Sequence, residues 1–219
     1  MQHLITAATD MELAAVRNRL QCAGGVDFFV TGVGMMATAC ALSDLLAQKR
    51  YDVALNVGIA GTFTPRLALG QVALVERERV EGYGAENAAG DVHLFSGGEI
   101  ICHFANDFPA LQPYPKVSGL TVNLLTESPV RLAARKRLYS ADVETMEGAA
   151  FFFACRRRQV KFLQLRGISN VVGVRDKSQW KTAEALENLA TAVQRFLQEP
   201  VLCDAAGAVD DYTPLNLAR

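Results

Sequence analysis

In the stretch DVETMEGAA, Asp142–Ala150, the acid Glu147 stands where a strand-like run gives way to small apolar residues and then to Phe151, Phe152 and Phe153. A carboxylate so placed is largely desolvated, which is costly unless a bound group supplies donors. Other chemistry-bearing residues lie just past strand-like runs as well. Asp10 and Glu12 follow HLITAA, the turn TGVG follows VDFFV, and Asn170 follows VKFLQLRGIS. The run DVALNV leads into Gly58, Ile59, Ala60 and Gly61, and Met146 stands beside Glu147. Glycines let backbone approach a ligand closely. In a sheet of parallel strands all these positions converge on one crevice.

Several familiar chemistries are excluded. TGVGMM has Ala37 where a dinucleotide fingerprint has its third glycine, and the first strand, which should carry that fingerprint, has none. No GxxxxGK[ST] loop and no GxSxG elbow occurs. The five cysteines are scattered, none forms a CxxC pair, and His3, His93 and His103 are not spaced with them as metal ligands. They read as reduced thiols of a cytoplasmic protein.

The elements that must position these residues alternate. Strands are expected at HLITAA, VDFFVTG, DVALNVGIAG, GQVALVERERV, GLTVNLLTES, ADVETM and VKFLQLRGISN. Helices are expected at DMELAAVRNRLQ, GMMATACALSDLLAQKR, PVRLAARKRL, EGAAFFFACRRRQ and SQWKTAEALENLATAVQRFLQ, the last stopped by Pro200. The third strand is expected to run into a glycine-flanked turn. Residues 82–116, rich in Gly and Pro, read as loops with short elements. Such alternation predicts an α/β fold with a mostly parallel sheet covered on both faces. With no repeat or linker, residues 1–219 read as one domain.

Composition agrees. Half of the 219 residues are hydrophobic and 21% are charged, with a formal net charge of −1. That suits a sizeable core and points to neither nucleic acid nor a membrane surface. No apolar run reaches the roughly 20 residues of a membrane span. The first residues lack the pattern of a leader peptide.

The segments ATDMEL, NVGIAGTF, ETMEGAAFFFAC and LQLRGISN resemble, in order and spacing over nearly the whole chain, the nucleoside phosphorylase and nucleosidase superfamily. Within it they are most similar to the futalosine hydrolases, relatives of the methylthioadenosine/S-adenosylhomocysteine nucleosidases. The resemblance implies a three-layer fold with a mixed, mostly parallel central sheet. It also implies a homodimer or larger homo-oligomer, no metal or organic cofactor, and a nucleoside substrate whose N-glycosidic bond is broken by water. Futalosine cleavage would place the chain in an alternative route to menaquinone.

The resemblance also assigns roles. Glu147 would accept hydrogen bonds from two ribose hydroxyls and favour a developing cation. Met146 would pack on the sugar, and Gly58, Ile59 and Ala60 would line the substrate. Glu12 would be the general base for water, with Arg166 positioning that water or supporting the carboxylates. Plain structural readings stand beside these: a first-turn acid for Glu147, core packing for Met146, a solvent-facing acid for Glu12, an ion pair for Arg166. Asp10 could cap the first helix.

Asn170 departs from the adenine-cleaving relatives, which carry Asp there. An amide accepts from a protonated imidazole nitrogen of the base and donates to a 6-oxo group, so it suits hypoxanthine and mismatches adenine; otherwise Asn170 merely ends its strand. Asn56 and Ile59 stand where phosphorylases place cations or hydroxyls, and Arg17 and Arg19 are expected to point outward, so water is the favoured nucleophile. For the carboxybenzoyl end of futalosine, Arg175, Lys177 and Trp180 are candidates, although the two cations could be surface charges. Phe151–Phe153 cannot all face one pocket from a helix. Adenine-releasing nucleosidases and a non-catalytic nucleoside-binding protein are the competing functions.

Overall fold

The computed structural model describes residues 1–20 and 24–198. Pro200, the tail from Val201, Cys22 and Cys203 lie outside the described residues. The elements run β1 (His3–Ala7), α1 (Asp10–Leu20), β2 (Val26–Val30), α2 (Met35–Gln48), β3 (Val53–Thr62) and β4 (Val72–Val80). They continue with β5 (Gly84–Glu86), β6 (Val92–Leu94), β7 (Glu99–Ile101), β8 (Lys116–Thr121) and α3 (Pro129–Tyr139). β9 (Val143–Thr145), α4 (Gly148–Arg157), β10 (Lys161–Val171) and α5 (Thr182–Gln198) complete the order.

The sheet is mixed and mostly parallel. β3 lies parallel to β1 and β10, β2 parallel to β1, and β8 parallel to both β4 and β9. Antiparallel pairings join β10 to β4, β3 to β9 and β4 to β7. Residues 4–7 of β1 and nearly all of β3 are buried, as continuous apolar runs between two helical layers should be. α1 packs on α5 and α2 on α4. α5 buries Ala185, Leu189, Val193 and Phe196, one stripe of an amphipathic helix. α3 starts on the Ser128 cap with Pro129 in its first turn and stops at Ser140, which takes a left-handed φ of 48°.

Three features differ from expectation. β3 does not turn at its glycines but continues through Gly58 and Gly61 to Thr62, because β10 pairs with it along its whole length. The strand expected at GLTVNLLTES begins earlier, at Lys116, and ends at Thr121, while residues 82–116 hold short elements as expected, a β5–β6 hairpin and a β7 that extends the sheet beside β4. The last helix begins at Thr182, since Lys177–Gln179 form a separate 3-10 turn capped by Asp176.

The sheet also closes. β3, β10, β4, β8 and β9 pair in a ring, and β1 and β2 continue from the lower half of β3 as an open wing. Buried within this part of the fold are Thr6, Asn56, Glu78, Thr121, Thr145, Gln164 and Arg166. The carboxylate of Glu78 accepts from Gln164 (2.6 Å), Thr121 (2.8 Å) and Thr145 (3.1 Å). A Cβ on Gly148, the first residue of α4, would overlap that carboxylate, so this glycine lets the acid sit against the helix start.

Burial pushes the Glu78 carboxyl up to about 6, against the pull of these donors and of Arg166. Its pKa is therefore higher folded than unfolded. The contribution to stability is fully present below the ordinary value of 4.5 and is lost as pH rises through about 6. Ionised at neutral pH, the group weakens the fold by about 2 kcal/mol. Glu78→Gln should remove that part of the slope. Urea midpoints of wild type and variant, measured from pH 4.5 to 7.5, should converge at the acid end and favour the variant at the neutral end. Parallel curves would refute the assignment.

Candidate active site

A cavity of about 200 Å³ opens at the strand ends and is lined by, among others, Glu12, Ile59, Ala60, Met146, Glu147 and Asn170. Thr9 and Glu12 form a reciprocal cap on α1. The Thr9 hydroxyl accepts from the Glu12 N–H (3.3 Å), and Glu12 Oε2 accepts from the Thr9 N–H (3.2 Å) and hydroxyl (2.8 Å). The cap is thus Thr9 and not Asp10, because the T-x-x-E spacing lets the glutamate reach back. Glu12 Oε1 accepts from Ile59 N–H at 3.0 Å. Glu12 is therefore buried and fixed, not solvent-facing.

Arg166 and Gly58 are not at the cavity wall; they back it. Arg166 is 1% exposed and donates through Nη2 to Asn56 Oδ1, while Asn56 is itself tied to Thr6. A Cβ on Gly58 would overlap Arg166 Nη1 and stand 2.6 Å from Glu12 Oε1. The missing methyl of Gly58 leaves room for both the Glu12 carboxylate and the Arg166 guanidinium.

Glu147 is the N-cap residue of α4, yet its side chain does not cap that helix. Oε1 accepts instead from the Gly34 N–H at 2.9 Å. Gly34 belongs to the TGVG turn, with φ of 93°, and Gly32 before it has φ of 85°. This backbone conformation, which favours glycine, aims an amide at the acid. Burial raises the Glu147 carboxyl above its ordinary range, Arg166 and Gly34 oppose the rise, and Glu12 adds to it.

Asn170 does not end its strand. β10 runs to Val171, with a register shift between Ile168 and Asn170 that leaves Ser169 unpaired and sets Asn170 opposite Gly61. The Ser169 hydroxyl donates to Asn170 Oδ1 at 2.8 Å, and Asn170 Nδ2 donates to Val171 O at 3.0 Å. At the rim, Arg175 lies over the Trp180 ring, 5.5 Å from its centroid, and both line the cavity. Lys177 does not line it. Nor do Phe151 and Phe152, which are fully buried core, or the part-exposed Phe153. Arg17 sits over Phe28 and Arg19 reaches Gln194, both away from the cavity.

Sequence reading brought the TGVG turn to the crevice without singling out the Gly34 N–H, and it missed Ser169 and the cavity-lining Glu144. The T-x-x-E spacing was the one overlooked signal of local structure. A larger cleft of about 650 Å³ lies between the β5–β6 hairpin and α3; of its four charges Glu81, Arg131 and Arg135 pair with one another, and Glu86 is the fourth.

A family model described as the phosphorylase superfamily matches residues 21–199. The chain belongs to the phosphorylase superfamily. It is 34% identical over 185 residues to the futalosine hydrolase of Thermus thermophilus, covering 80% of this chain and 82% of that protein. The futalosine hydrolase of Streptomyces coelicolor is 31% identical over 190 residues, covering 81% and 80%. Among solved structures, the S-adenosylhomocysteine nucleosidase of Streptococcus pyogenes superposes with a TM-score of 0.75 at 21% identity, over 90% and 96% of the two chains. That likeness places the superfamily fold on this chain, as the mixed sheet between helical layers had indicated. Among the described residues no helix is long and apolar enough to cross a membrane.

Proposed function

We propose that this phosphorylase-superfamily chain is a futalosine hydrolase, releasing hypoxanthine from futalosine with water. The observation that carries the reading is the cavity's charge pattern: Glu12 and Glu147 at one wall with the buried Arg166 behind it, and an amide, Asn170, where an acid would serve adenine. Kinship with the Thermus and Streptomyces enzymes supports the same substrate.

In this mechanism Glu147 takes the ribose hydroxyls. Gly34 leaves it acceptor capacity, and its charge stabilises the cationic character that grows at C1′. Glu12 accepts a proton from water as the water oxygen bonds to C1′ and the C1′–N9 bond breaks. Arg166 stands behind the wall, its positive charge opposing the rise that burial gives the Glu147 carboxyl. Met146 packs on the sugar, above the backbone of Ile59 and Ala60. Solvent protonates N7 before the bond breaks, so that the base leaves neutral; Asn170, held by Ser169, accepts from that N7–H and donates to the 6-oxo group. Arg175, stacked on Trp180, takes the substrate's distal carboxylate.

Water is preferred over phosphate because an incoming dianion would meet Glu12, Glu144 and Glu147 at the cavity wall, with Arg175 only at the rim. Exposed Met11 and Val33 beside the cavity favour burial against a second copy, so a homodimer or larger assembly belongs to this reading, as does a single cytoplasmic domain. Light scattering on the purified chain tests the assembly.

The activity is tested by chromatographic detection of free base from futalosine, its 6-amino analogue, inosine and methylthioadenosine, with and without phosphate. Hypoxanthine from futalosine in either buffer is expected. Adenine from methylthioadenosine would move the chain to the sister nucleosidases. Tight binding without release of base would make it a binding protein.

A further inference from the structure

Glu12 and Glu147 line the cavity and take part in the chemistry. A third buried acid, Glu78 of β4, does neither. It is fully buried within the strand ring, and its place there is set by β10. Gln164 and Arg166 stand two residues apart on β10, so their side chains leave the same face of the strand. Gln164 Nε2 donates to Glu78 Oε1 at 2.6 Å. The Glu78 carboxylate therefore lies on the side of β10 that carries Arg166.

Arg166 links this acid to the site. Its Nη1 borders the space over Gly58 that Glu12 Oε1 also borders, and its charge acts on both Glu78 and Glu147. The hydrogen bond it donates goes to a neutral oxygen, Asn56 Oδ1, so its charge is balanced across space by the acids. Gln164 suits either charge state of Glu78. Its Nε2 donates to the carboxylate, and its Oε1, which meets no donor among the described residues, can turn to accept from the protonated acid.

We propose that Glu78 is a positioning residue that acts through Arg166: ionised, it offsets the guanidinium from behind, so that Glu12 and Glu147 present more net negative charge to the ribosyl cation developing at C1′. This rests on the hydrolase reading above. Two acids and one guanidinium leave one net negative charge behind the sugar, and Glu78 makes it two. The bound ribosyl group is neutral until its bond to the base stretches, so the effect belongs to kcat and not to KM. A unit charge about 10 Å from the reacting carbon, in an interior of effective dielectric near 20, changes a rate roughly tenfold.

The groups facing Glu78 are Gln164 and Arg166 from β10, Thr121 from β8, Thr145 from β9 and the start of α4 at Gly148, one residue after Glu147. On β4 itself, Arg77 and Arg79 are engaged by Glu99. With the Glu78 carboxyl pushed up to about 6 by burial, the acid is ionised above that pH and neutral below it. Turnover should therefore fall as pH drops through about 6.

The test measures single-turnover release of hypoxanthine from futalosine between pH 5 and 8.5, for the purified full chain, Glu78→Gln and Gln164→Leu, with KM and urea midpoints alongside. Glu78→Gln should be about tenfold slower than wild type at pH 8, with KM within about twofold, and its acid limb should lie at lower pH. Gln164→Leu removes a donor that favours the ionised acid, so its limb should lie at higher pH than wild type. Opposite shifts from two touching residues do not arise from loosened packing, and Glu78→Gln is the variant expected to hold the fold better at neutral pH. A wild-type rate that stays flat from pH 5 to 8 needs no variant to interpret and overturns this proposal. So does a Glu78→Gln profile that superposes on wild type, and both leave the hydrolase reading standing. Adenine released from methylthioadenosine, with futalosine untouched, overturns that reading instead; the same profiles are then compared on that substrate, whose ribosyl cation is alike. Cleavage of neither overturns both.

Discussion

Glu12→Gln is expected to slow hypoxanthine release by about 10²- to 10⁴-fold, the usual contribution of a positioned general base. The geometry gives the variant a second signature. Glu12 accepts from three donors, two from Thr9 on Oε2 and the Ile59 N–H on Oε1. A glutamine has one acceptor oxygen. Whichever way its amide turns, its NH₂ faces the backbone N–H of Ile59 or that of Thr9. A buried donor left without an acceptor costs about 1–3 kcal/mol. The variant should therefore melt at a lower temperature as well as turn over slowly. Single-turnover release separates the chemical step from product loss, and a thermal scan reads the stability. A rate within a few-fold of wild type would remove Glu12 from the role of base.

Gly58→Ala should be nearly as severe without touching a charged residue. Gly58 is not among the residues of positive φ, so its backbone accommodates alanine. Space is the whole objection. The new methyl overlaps Arg166 Nη1 and approaches Glu12 Oε1 to 2.6 Å and Cδ to 3.3 Å. Neither neighbour is a loose chain end: Glu12 is held in its cap, and Arg166 is held on Asn56. Both must move, and a displacement on the order of 1 Å at reacting groups can lower the rate about 100-fold. The fall should appear in kcat more than in KM, since Glu147, Met146 and Asn170 are untouched. Wild-type turnover would show that Arg166 and Glu12 need not share this space.

The strands that carry the site were legible because buried parallel strands read as unbroken apolar runs, and the acids and amide at their ends stood out as polar residues in the wrong place. What escaped was of two kinds. Gly34 acts through a backbone N–H, which leaves no side-chain signature beyond a positive-φ glycine. Glu78 and Arg135 sit in ERER and RKR, runs that look like solvated faces. They are buried because β4 closes against β10 and α3 folds back over Glu81, pairings between segments far apart in the chain. Local pattern carries no information about such closure, and for the same reason β5 to β7 read only as unspecified short elements among loops.

The ring of five strands also has a temporal consequence. β3 and β10 are far apart in the chain, Asn56 and Arg166 being 110 residues from one another, and Glu12, Gly58, Arg166 and Asn170 become neighbours only once those two strands have zipped. Pairings of such sequence separation form late, after the loop-closure entropy between them has been met. A collapsed intermediate with its local helices formed would hold every residue of the site and none of its geometry. Recovery of hydrolysis during refolding should therefore track amide protection in β3 and β10, and lag behind protection in α2 and α5. Returning activity would then serve as a readout of the β3–β10 pairing.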